Sequence, residues 1–404
     1  MNSGIIILIV YMLVLLGIAF YASRRDQKNI KDFATGGGLG IFVLTLTFSA
    51  TYHSAYAFMG AGGFVYNHGI GWWVNGLWTV LPGVLFWVWG RRFWFMGKKY
   101  SYLSVADYAA DVYESNAVGI LVTAITMVFT VPYVAMQAIG CSYIFTTISG
   151  GKLSYTVGAI LFFVIMIILV WLGGMKGVAI TDAAQGVFMF VGLLGGAFWV
   201  LRANFPSVAA AFEAVQAQIP ELLTLPGPKG LVTPQDWLSR WVVITFGMMM
   251  FPQISLRFFA GKNLRVMKWS AVFSSVYLTY IYVFTPAVGM AGRILMPDIA
   301  SADTIFPEML LKYTPTAFAA LVISGVLCLI PMALALVGEG KVEAVTRQVL
   351  GKAFDKRTIL LVYGVTLVAL VAAALLGGKL ALVICLGLGI SVLASAVYYT
   401  VKAM

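Results

Sequence analysis

Asp182 is the residue of this chain best placed to do chemistry. It sits in the run Gly173-Gly174-Met175-Lys176-Gly177-Val178-Ala179-Ile180-Thr181-Asp182-Ala183-Ala184-Gln185-Gly186, where a long apolar stretch begins. A carboxylate at membrane depth is costly to keep, so it marks an ion or gate site unless it snorkels to the surface, where it would cap the helix and pair with Lys176. Position alone leaves the two readings even. A second constellation lies in Phe48-Ser49-Ala50-Thr51-Tyr52-His53-Ser54-Ala55-Tyr56-Ala57-Phe58-Met59-Gly60-Ala61-Gly62-Gly63. Lipid-facing helices are rich in Leu and Ile, whereas this run is small, polar and dense in glycine. Small residues allow close helix packing. The density of Ser, Thr, Tyr and His favours a helix broken at mid-membrane, with freed carbonyls turned toward a cavity.

The elements that must hold these residues are membrane helices. Apolar residues make up 61% of the chain and charged residues 10%, with a mean hydropathy of +0.95. A soluble domain carries about 25% charged residues. Eleven spans are expected, at about 4–22, 38–65, 71–90, 117–147, 155–173, 178–202, 236–258, 269–294, 315–337, 358–376 and 380–401. The first lacks a signal-peptide cleavage pattern and is kept as a helix. The net charge of +11 does not indicate nucleic acid, because the basic residues fall in short loops. With the N-terminus outside and the C-terminus inside, 19 of the 26 basic residues, Arg257 among them, collect on the inside.

Residues 203–235 read as a short amphipathic surface helix (Val208, Phe212, Val215, Ile219) followed by a Pro- and Gly-rich turn. Residues 296–314, with Asp298, Asp303 and Glu308, read as a solvated loop. Trp72, Trp73, Trp87 and Trp89 fall near expected span ends and are assigned to the interfacial belt. Cys141, Cys328 and Cys385 lie in apolar stretches without metal-type spacing. There is no phosphate loop, paired carboxylate or nucleophile triad, and two histidines cannot make a metal site alone, so enzymatic readings are poor. No organic cofactor is expected.

The polar run ending Ala57-Phe58-Met59-Gly60 resembles the second helix of the sodium:solute symporter family. So do the loop from Gly90 to Tyr108, the stretch from Val131 to Gly140, the run from Gly174 to Gln185, and Phe251-Pro252-Gln253-Ile254-Ser255-Leu256-Arg257. The resemblance covers roughly residues 5–350 and leans toward the monocarboxylate permease-like branch. It implies an all-α polytopic membrane protein in the multi-pass cytoplasmic membrane, with a LeuT-type five-plus-five inverted repeat. Span 4–22 is then accessory, 38–202 the first repeat and 236–401 the second, in one transporter domain over 1–404. Family members usually continue with further accessory helices.

The resemblance also implies a sodium site: carbonyls of Ala50 and His53, the carboxylate of Asp182, and two hydroxyls on the ninth span. Counting back from Thr346-Arg347, those hydroxyl positions are Met332 and Ala333, which supply no oxygen ligand. Sodium wants about five or six oxygens, so coupling to sodium is expected to be absent or weak. A proton or a fixed cation in its place, an uncoupled carrier or solute sensor, and ligands from Thr51, Ser54 or Ser324 all remain open. Lys341 as a tethered cation is disfavoured, since Glu339, Lys341, Glu343 and Arg347 fit a solvated helix end. His53 can take a proton near neutral pH, or serve as a neutral hydrogen-bonding group. Tyr52, Tyr56, Tyr133, Gln137, Trp241 and Thr245 are the candidate contacts to a small polar organic solute, a carboxylate among the options. No arginine is expected at mid-span to hold it. The alternative is a sensor subunit that signals through a partner protein. Otherwise the partners are the solute and the bilayer.

Overall fold

A computed structural model describes residues 3–23, 38–53, 55–73 and 80–327. Met332, Ala333, Lys341 and the last two expected spans lie outside them. The described chain is helical: α1 (Ser3–Ser23), α2 (Ile41–His53), α3 (Gly60–His68), α4 (Val80–Tyr100), α5 (Val105–Val112), α6 (Asn116–Ile148), α7 (Tyr155–Asn204), α8 (Val208–Gln218), α9 (Pro234–Met250), α10 (Pro252–Ala260), α11 (Leu264–Leu295), α12 (Ile305–Tyr313) and α13 (Thr316–Leu327). By length and composition, Asn116–Ile148 and Lys176–Asn204 can each cross a membrane, and α9 with α10 makes a third crossing if the bent pair is one span.

The expected break in the second span is present, and the seventh span is broken as well. The second span stops at His53, passes through a 3-10 turn over Ala55–Ala57, and resumes at Gly60. The seventh is interrupted at Phe251, where α9 and α10 meet at 57°. Pro252 cannot donate a backbone hydrogen bond to the preceding turn, which accounts for the stop. Regular i→i+4 bonding ends at each break, and this leaves last-turn carbonyls and first-turn amides facing the interior.

Other boundaries differ from expectation. The third span is shifted to Val80–Tyr100, so Arg91, Arg92, Lys98 and Lys99 extend a helix instead of forming a loop. Three of their cationic ends lie over aromatic neighbours, Arg91 at 5.3 Å from Trp87, Lys98 at 5.8 Å from Trp94 and Lys99 at 4.8 Å from Tyr100. Long stems let such residues stay helical at an interface. Helical bonding runs unbroken from Tyr155 to Asn204, across the glycine-rich segment expected to be a turn. Residues 296–314 are not a solvated loop: α12 buries Ile305, Phe306, Met309 and Leu310 against the core. Trp72 is not in the belt either, being 1% exposed beside Leu222 and Tyr282. The surface helix is present as α8, with Ala211 and Val215 packed inward. Cys141 is buried.

The outer half-helix α3 is clasped by the loop after α8. Gly69 has φ +73° and ψ −154°, a region that side chains avoid, and a Cβ there would meet the Leu222 backbone, with its Cα 2.7 Å away. Lys229 Nζ donates to Asn67 Oδ1 at 2.8 Å, and Tyr66 donates to the carbonyls of Met296 and Pro297. Gly69→Ala is therefore expected to destabilise the protein by about 1–3 kcal/mol. An unchanged thermal midpoint in detergent would show that the clasp is not rigid.

Candidate functional site

The site is built where the two broken spans cross α7 and α11. α2 is buried almost throughout: Ala50 is fully covered and His53 is 1% exposed. Its pattern departs from a lipid-facing helix because every face of its second half meets protein. Asp182, on α7, is fully buried, so it does not snorkel. Its Oδ2 accepts from Thr47 Oγ1 at 2.6 Å and from Arg257 Nη2 at 3.0 Å. The carboxylate thus meets α2 one turn before Ala50, and its hydrogen bonds go to Thr47 and Arg257.

Arg257 corrects the sequence reading. It was assigned to an inside loop, and no arginine was expected in the interior, yet it is 1% exposed. Its Nε and Nη2 donate to Thr47 Oγ1 at 3.1 and 2.9 Å, and its Nη1 donates to the Gln253 carbonyl. Burial is tolerated because the fork is satisfied on several sides and the charge is paired. A guanidinium at this distance neutralises Asp182, which therefore offers little free negative charge to a second cation. The other oxygen, Asp182 Oδ1, is buried without a hydrogen-bond partner, as are both side-chain amide atoms of Gln185 and Gln253, and the hydroxyls of Thr45 and Ser49.

A second group of residues gathers at the end of α2. Both ring nitrogens of His53 are buried without a hydrogen-bond partner among the described residues. The ring lies 4.6 Å from Tyr282 and 5.9 Å from Tyr277, with Tyr52 edge-on at 6.3 Å. Tyr277 donates to the Gly186 carbonyl at 2.7 Å, tying α11 to α7 one turn beyond Asp182. Tyr56 sits in the break, 37% exposed, and accepts from Trp72 Nε1 at 3.1 Å. Tyr133 packs against Phe251 at the other break, ring centroids 5.5 Å apart. Gln137 is buried on the same α6 face, one turn on. Thr245 is buried on α9 with its hydroxyl unpartnered, and Trp241, half-buried, lies one turn before it.

Sequence reasoning missed Thr47, Arg257, Gln185, Gln253, Tyr277 and Tyr282. One signal was available: Arg257 is flanked by Leu256, Phe258, Phe259 and Ala260, an odd setting for a loop cation. For Tyr277 and Tyr282 the sequence held no signal, because neither spacing nor composition separates a cavity tyrosine from a packing one.

Comparisons with known proteins identify the family and the fold. A family model described as SSF, the sodium:solute symporter family, matches residues 33–337. The sodium/pantothenate symporter of Haemophilus influenzae is 28% identical over 347 residues, covering 82% of this chain and 68% of that protein. That of Escherichia coli K12 is 26% identical over 333 residues, covering 81% and 67%. A solved Na+-coupled sialic acid symporter in a substrate-bound outward-open state superposes with a TM-score of 0.68 at 17% identity, over 85% of this chain and 73% of that one. That likeness gives the LeuT-type fold expected from the sequence. The chain belongs to the sodium:solute symporter family, as a multi-pass transporter of the cytoplasmic membrane that moves a small organic solute and is not an enzyme.

Proposed function

We propose that the solute binds at the break of the second span, against His53, and that its polar groups complete the hydrogen bonding this histidine lacks. The supporting observation is the imidazole with both nitrogens buried and unpartnered at the end of α2. Leaving such atoms unmatched costs about 1–3 kcal/mol each, so the position favours a visiting partner. One ring nitrogen donates and the other accepts, which suits a hydroxyl or amide. Tyr52 stands edge-on to the imidazole, and Tyr56, Tyr133, Gln137, Thr245 and Trp241 are the further contacts we assign to the solute. The relatives are named for pantothenate and sialic acid, and both molecules are hydroxylated carboxylates carrying an amide. A small hydroxylated carboxylate is the solute class we assign. Nothing in the site favours the sensor reading.

Sodium is the coupling ion that family and relatives support. The carbonyls of Ala50 and His53 remain the carried-over ligands, the ninth-span positions Met332 and Ala333 bring no oxygen, and Asp182 is held by Arg257. Two missing hydroxyls weaken such a site without abolishing it. Met332→Ser with Ala333→Thr is therefore expected to lower the sodium concentration for half-maximal uptake by about tenfold or more. Uptake into proteoliposomes of labelled pantothenate, sialic acid and short hydroxy acids, with and without sodium and pH gradients, tests both parts. Accumulation of one of these acids on a sodium gradient supports the reading. Uptake driven by a pH gradient alone would replace sodium by a proton, and transport of neutral solutes only would discard the carboxylate.

A further inference from the structure

We infer that Arg257 is the latch of the inner gate: its contact with Asp182 and Thr47 holds the inner half-helices α2 and α10 closed against α7, and must break before the inside opens. The inference rests on the chain's being an alternating-access transporter, and concerns a part of the molecule away from the His53 subsite.

Three elements meet at one guanidinium. Arg257 belongs to α10, Thr47 to α2 and Asp182 to α7, with Arg257 and Asp182 all but inaccessible. The same two half-helices are joined a second time at their other ends. Leu39 N donates to the Ala260 carbonyl at 2.7 Å, Lys262 N donates to the Leu39 carbonyl at 3.0 Å, and Trp94 Nε1 donates to the Gly261 carbonyl at 2.6 Å. Those ends carry the inside loops of the expected topology, so the clasp closes the cytoplasmic side.

A buried ion pair suits a two-state contact. Intact, it satisfies both charges, whereas separated in a dry interior it leaves each uncompensated, so intermediate openings are disfavoured. Opening to the inside admits water, which solvates both groups once they part. The contact therefore acts as an all-or-none catch, and Thr47 is the residue that engages α2 with it. Arg257 here is a positioning residue: it sets which side is open, and no direct contact with the solute is required of it.

The test measures access from the inside. In a chain with Cys141, Cys328 and Cys385 replaced, Ser49→Cys provides a probe on α2 at a buried position half a turn beyond Thr47. A membrane-impermeant maleimide is applied to inside-out and right-side-out vesicles. Thr47→Val keeps the two charges together and removes the link to α2. It is expected to raise labelling from the inside by about tenfold, with little change from the outside. Asp182→Asn with Arg257→Gln is expected to do the same, and Arg257→Lys, which keeps the charge but loses the fork, to fall between. Unchanged inside labelling in Thr47→Val overturns the latch, as does an equal rise from both sides, which signals general loosening. Loss of sialic acid or pantothenate uptake bears on the solute reading, because labelling reports the gate whatever the solute is.

Discussion

Asp182→Asn is expected to abolish uptake and, at the same time, to lower stability by about 3–5 kcal/mol. A carboxylate that only supports an ion or a gate would give a variant that is inactive yet folded. The structure changes that expectation, because Arg257 is left as an uncompensated cation 1% exposed to solvent. An asparagine still accepts from Thr47, but it cannot balance the guanidinium. Adding Arg257→Gln should recover most of the lost stability, since two neutral amides can hydrogen-bond to each other. Thermal midpoints of the two singles and the double in detergent give the coupling directly. A single variant that melts like the parent would mean that the pair is solvated in the working protein.

His53→Phe is expected to cut uptake by about tenfold or more while raising stability by about 1–2 kcal/mol. Phenylalanine keeps the ring contacts to Tyr52, Tyr277 and Tyr282. It removes two buried nitrogens that have no hydrogen-bond partner among the described residues. A histidine held for packing alone would show unchanged uptake. Measuring uptake rate against solute concentration separates weaker binding from slower transport, and binding should carry most of the loss. Full uptake by this variant would remove His53 from the solute site.

The class of the protein was legible in the sequence, because apolar content and loop charges act without reference to any distant residue. The break of the second span was legible too: glycine and small polar residues stop helical bonding locally, so the run from Phe48 to Gly63 betrays itself. The burial of Asp182 was one of two even readings of its position, and its partner was not legible at all. Arg257 lies 75 positions away, and in sequence only its apolar flank sets it apart from an inside cation. Only the crossing of α2, α7 and α10 decides that it folds inward. The same holds for Trp72, expected at the interface but enclosed by α8 and α11, and for α12, whose apolar residues are covered by α7 and α13. His53 stands between the two cases. Its chemistry was visible in its residue type and in the break beside it, while the absence of any protein partner for its nitrogens is a property of three dimensions. Sequence fixes what each segment can bury, and tertiary packing decides which charges meet and which polar atoms are left for a solute.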